Sequence, residues 1–126
     1  MSFSDTFETT VLTWVLTDGS ATRPTAWYVA LFTDNPTDAD TGTEITGGSY
    51  ARTAVSFTVS GDAASNSAAV EFPAATDNWG TITHIGVYDA STSGNLIFHS
   101  ALTTSKAITT GDVFRIPTGD LDFTLS

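Results

Sequence analysis

The 126-residue chain is 40% hydrophobic and 11% aromatic, enough for one real core and too apolar for disorder. Four basic residues, Arg23, Arg52, Lys106 and Arg115, stand against 14 acids, and the net charge of -10 leaves no cationic stripe for nucleic acid or an anionic membrane surface. The absence of cysteine removes disulfide and thiolate chemistry, and no apolar run approaches the ~20 residues of a membrane span.

The N-terminus has no basic stretch followed by an apolar one, which predicts assembly in a cytoplasm rather than secretion. Residues 4–17 read as the one good helix, with Phe3, Phe7, Val11, Trp14 and Val15 at helical spacing. Ser2 with Asp5, or Ser4 itself, can cap it, and Asp18-Gly19 can end it. Its threonines are poor helix formers, so the stripe Phe3, Phe7, Val11 and Trp14 needs a surface to dock on, its own sheet or a neighbouring subunit.

After Arg23-Pro24 the period changes. The continuous apolar run Trp27–Phe32 predicts a strand buried on both faces. A loop rich in Asp, Thr, Gly and Pro follows from Asp34 to Gly48. Alternation at Val55, Phe57 and Val59, and again at Ala68, Val70 and Phe72, predicts a hairpin of these two runs. Further strands are expected near 82–89, 95–102 and 112–117, with a last one carrying Leu121, Phe123 and Leu125. About seven short strands at such spacing predict an antiparallel β-sandwich, jelly-roll-like in its simplest form. The expected organisation is a single domain, 1–126, with an N-terminal helical arm over 1–18 and the sandwich over 26–126.

In the hairpin across Ala90–Gly94, pairing Ile85 with Phe98 and Val87 with Leu96 collects four apolar residues on one face. That register sets His84 opposite His99, either as two sheet histidines or as a weak metal or pH-sensitive pair. Asp38, Asp40 and Glu44 alternate around Gly42 in a faint likeness to a calcium loop, though without EF-hand spacing or flanking helices. No other cofactor is expected. Arg52 is expected to clamp the acidic loop to the sheet through Glu44 or Asp34. Gly47-Gly48 supplies a turn and not a phosphate loop, since no Lys follows.

No nucleophile elbow or zinc-protease motif is present, and no serine is singled out for a triad with His84 or His99, so no enzyme is predicted. The three tryptophans and three tyrosines are expected mainly in core or interface packing, with Trp79, in the turn Asp77–Gly80, the best candidate for glycan contact.

Several segments in order resemble a family of small tailed-phage structural proteins, labelled phage tail fibre or minor tail proteins. They are Tyr28–Thr33 with the acidic loop, Glu44–Arg52, Trp79–Ala90, Gly94–Phe98, and Ala101–Lys106 with Gly111-Asp112, within residues 28–125. The resemblance implies a non-catalytic virion component assembled in the host cytoplasm, tail- or fibre-associated or a head decoration. It implies other virion proteins, capsid or tail, as partners, and by analogy a homo-oligomer, a trimer. It carries over no binding residues. The alternative is a carbohydrate-binding module for host-surface attachment.

Overall fold

The computed structural model describes residues 2–125. Strand β1 (Ser2–Phe3) runs into helix α1 (Asp5–Leu16). Then follow β2 (Tyr28–Phe32), β3 (Thr53–Ala54), β4 (Phe57–Ser60), β5 (Ala63–Asn66) and β6 (Val70–Glu71). The chain continues through β7 (Gly80–Tyr88), β8 (Leu96–Ile108), β9 (Arg115–Ile116) and β10 (Asp122–Thr124). A five-stranded antiparallel sheet in the order β1-β8-β7-β2-β3 faces a three-stranded sheet, β10-β5-β4, and the pair β6-β9. The fold is an antiparallel β-sandwich with one helix; among the described residues it has ten strands rather than about seven, four of them only two residues long, while β8 runs on to 13.

Between the layers, Val29, Leu31, Ile85, Val87 and Phe98 meet Val70, Phe72, Phe114, Ile116 and Leu121. The opposite face of the large sheet carries a smaller buried cluster of Ala30, Phe32, Tyr88 and Leu96. β2 is therefore buried on both faces, which is why its sequence is continuous rather than alternating. Gly86 keeps this second face tight, since a Cβ there would lie 2.8 Å from Leu96 and 3.0 Å from Phe32. Asn66 is fully buried but satisfied, donating to Ala68 O at 2.9 Å and Pro117 O at 3.0 Å, and accepting Leu121 N–H at 3.0 Å. It fastens β5 to the segment entering β10 without an orphaned polar atom.

Two pairings depart from the sequence expectation. β4 does not pair with the Ala68–Phe72 run. It turns tightly onto β5, with Phe57 opposite Asn66 and Ser60 opposite Ala63, while Val70 pairs with Ile116. Ser60-Gly61-Asp62 supplies a two-residue hairpin turn, and the nearer partner wins over the more apolar one. Between β7 and β8 the register is two residues from the expected one: Ile85 faces Ser100, Val87 faces Phe98, His84 faces Ala101 and His99 faces Gly86. A two-residue slide keeps every side chain on its face, so periodicity cannot detect it. A bulge between Val87 and Tyr88 then leaves Ile97 without a cross-strand partner and turns Leu96 to the Tyr88 face.

Candidate functional site

The acidic loop between β2 and β3 folds back over the outer face of the five-stranded sheet. Asp34 closes its neck by accepting Thr43 N–H at 2.7 Å. Asp34 does not meet Arg52, which corrects one of the two partners expected for that arginine. The other acids each hold a different donor. Asp38 accepts His99 Nε2–H at 2.7 Å and the Ser2 hydroxyl at 2.9 Å. Asp40 accepts the Tyr88 phenol. Glu44 accepts Arg52 Nε at 2.9 Å and Nη2 at 2.8 Å, and the Tyr50 hydroxyl at 2.6 Å.

Arg52 joins three pieces of chain. Besides the bidentate pair with Glu44, its Nη1 donates to Ala90 O at 3.0 Å and Ser93 O at 2.7 Å in the β7–β8 turn. Its guanidinium carbon lies 3.7 Å from the Tyr88 ring centroid. The planar fork suits this mixture of carboxylate, carbonyl and aromatic contacts, which an ammonium would not match. Only 8% of the Arg52 side chain is exposed. Burial pulls its pKa down, but the Glu44 contacts outweigh that and hold it above the ordinary value. Burial and a carboxylate partner raise both phenols, Tyr50 beside Glu44 and Tyr88 beside Asp40. Asp38 is held below its ordinary value, chiefly by His99 and then by Ser2.

The calcium-loop geometry is absent. Asp38, Asp40 and Glu44 diverge to His99, Tyr88 and Arg52, and among the described residues no group of three or more His, Asp or Glu converges on a metal position. The histidines are diagonal rather than opposite neighbours. They line one shallow depression with Ser2 and Asn35, and His84 Nδ1 bonds the Thr83 hydroxyl at 2.8 Å. Ser2, Asp38 and His99 also fail as a catalytic relay. The carboxylate sits between the hydroxyl and the imidazole, whereas a nucleophile needs the imidazole beside it.

Trp79 is buried at 5% exposure, which removes the aromatic nominated for glycan contact. Its indole N–H reaches Gly48 O at 2.9 Å and its ring meets Tyr50 edge-on. Gly48 has φ +58, and a Cβ there would lie 2.8 Å from the indole nitrogen. The glycine therefore serves the tryptophan as well as the turn. Of the tyrosines, Tyr88 is buried and Tyr28 and Tyr50 are half-buried. The roles of Tyr50, Tyr88 and Ser2 as hydrogen-bond partners of the loop acids escaped the sequence reading, because their partners are up to 48 residues away.

The N-terminal arm is anchored at one end only. β1 pairs with β8 through Ser2 opposite His99 and Phe3 opposite Phe98. Ser4 caps α1 by accepting Phe7 N–H at 3.1 Å, and its own N–H and hydroxyl bond to Ile97 O and Leu96 O. Asp5 N–H reaches Asp38 O at 2.9 Å, so the start of α1 rests on the pinned loop. Phe3 and Phe7 pack toward Phe98 and Phe123. Beyond Val11 the support ends, and Leu12, Trp14, Val15 and Leu16 are 57%, 59%, 58% and 72% exposed. Beside the anchored end lies an apolar groove of about 340 Å³ between the layers, lined in part by Phe3, Phe7, Phe57, Val59 and Phe123.

None of the curated proteins compared with the chain matches it. The model of one family, described as podophage GP4 fiber I protein gp80, matches residues 2–124. The match takes in the N-terminal arm, which lies outside the residues 28–125 that carried the sequence resemblance. With arm and sandwich both covered, the chain belongs to this family of phage fibre structural proteins and is a component of the virion.

Proposed function

We propose that the chain is a non-catalytic fibre module, attached through protein–protein contacts to tail or capsid proteins, with the free end of α1 as its docking element. One observation carries this reading: five of the six residues from Val11 to Leu16 are apolar, and four of them are exposed by more than half. Water does not stabilise such a surface, and contiguous exposed apolar patches mark interaction sites. The pinned loop supplies the rigid base on which the helix starts. Its carboxylates reach separate donors on the folded body, and the reading calls for no bound metal. By analogy with other phage fibres it works as a homo-oligomer, a trimer. The rival reading as a carbohydrate-binding module loses the one residue nominated for glycan contact, since Trp79 is buried.

The test is incorporation. Phage carrying Trp14→Asp and Leu16→Asp together are expected to yield particles depleted of this protein, measured by quantitative mass spectrometry of purified virions. Normal incorporation would reject α1 as the docking element. Absence of the unaltered protein from virions would reject the assembly role itself.

A further inference from the structure

We infer that the last turns of α1, from Leu12 to Leu16, are only marginally helical in the free module and are completed when the arm docks. This rests on the reading of α1 as the docking element and adds how that element works.

The stabilising devices of α1 sit at its start. Ser4 caps it, and Asp5 and Glu8 lie at the end of the helix dipole that favours acids. Glu8 N–H bonds Ser4 O at 2.9 Å, and Asp5 N–H bonds the carbonyl of Asp38. The Asp38 carboxylate in turn holds Ser2 and His99. The costly nucleus of the helix is therefore formed by the fold.

Propagation from that nucleus has little support. Six of the 12 helical residues are β-branched, namely Thr6, Thr9, Thr10, Val11, Thr13 and Val15, and such residues lose side-chain freedom against the preceding turn. Only Glu8, Leu12 and Leu16 are strong helix formers. The Thr10 hydroxyl bonds back to Thr6 O at 2.9 Å, a contact that competes with the helical ladder. The last turn carries no base, and Asp18 follows at the dipole end that disfavours an acid. What remains there is the exposed Thr17 hydroxyl, which bonds back to Thr13 O and accepts Gly19 N–H at 3.0 Å. No residue of α1 is buried, so the packing that stabilises most helices in proteins is missing beyond Val11.

The exposed apolar residues Leu12, Trp14, Val15 and Leu16 thus lie where the helix is weakest. A partner surface that takes them supplies the burial that the free helix lacks. Apparent affinity is then reduced by the helical fraction of the free arm, and it rises when that fraction is raised without touching a contact residue.

The test begins with hydrogen exchange of the purified full chain, read by NMR. Amides of Thr13–Leu16 are expected to exchange within about tenfold of the unstructured rate, while Ile85–Val87, in the strand flanked by β2 and β8, are slowed more than about a thousandfold. Thr9→Ala with Thr13→Ala should slow exchange at 14–16 about fivefold and deepen the helical circular dichroism signal. Thr13→Pro keeps every apolar residue but cannot continue the helix. It should leave Tm unchanged, since no residue of α1 is buried, and deplete the protein from virions. Strong protection of Thr13–Leu16 in the free chain, or unchanged exchange in the alanine variant, would overturn the inference and leave the docking role standing. Normal incorporation of Thr13→Pro beside depletion of the Trp14→Asp and Leu16→Asp variant would overturn it as well.

Discussion

The acidic loop and the helix α1 invert their apparent characters. The loop has no repeating structure and a composition that reads as solvated, yet Asp38, Asp40 and Glu44 each hold a donor on the folded body. The helix is the most regular local element, yet α1 contains no buried residue. Regular backbone bonding and tertiary anchorage are separate quantities. A loop whose side chains reach three neighbours is fixed by the fold, while a helix can satisfy its own backbone and still leave its apolar side chains unpartnered.

If that contrast is sound, the two regions should respond oppositely to substitution. The largest loss of stability is expected for Glu44→Ala, which strips the carboxylate from a nearly buried guanidinium and from Tyr50 together. Removing one member of a buried pair costs roughly 3 kcal/mol, to be read from urea unfolding. A loss below about 1 kcal/mol would mean that the clamp is ornamental. Tyr88→Phe is expected to cost about 1 kcal/mol, because it loses the bond to Asp40 but keeps the ring beneath Arg52.

The pH response sharpens the same side of the comparison. Tyr50 and Tyr88 have folded pKa values raised above the unfolded value of 10.0. Their contribution is therefore complete below pH 10 and is lost as pH rises beyond it. Tm should fall on the alkaline side, and the fall should shrink in the double variant Tyr50→Phe and Tyr88→Phe. On the acid side, Asp38 has a folded pKa lowered from 3.8, so its contribution is present above that value and fades as pH drops below it. The smallest effect belongs to the helix. Leu16→Ser should change monomer stability by no more than about 0.5 kcal/mol, while association falls.

Much of the architecture was legible because it rests on local chemistry. Trp27–Phe32 announced a doubly buried strand, Ser4 announced a helix start, and Ser60-Gly61-Asp62 announced a turn. What could not be read depended on distance or on parity. The β7–β8 register differs from the expected one by two residues, a slide that periodicity cannot detect, and a bulge then moves Leu96 off the face it was expected to share with Ile85, Val87 and Phe98. The turn at Asp77–Gly80 gave no sign that Trp79 would be drawn inward by Gly48 O.

The sequence alone determined an acidic, cysteine-free β-sandwich with a helical arm, because periodicity, turn residues and charge count act over a few neighbours. It also placed Arg52 near a carboxylate, since few cations serve so many acids. Only the tertiary structure decided which acid Arg52 takes, that the apparent metal ligands diverge, and that the apolar stripe of α1 outruns its support. Those outcomes depend on which side chains meet across tens of residues, and burial is a property of that meeting rather than of any residue's own chemistry.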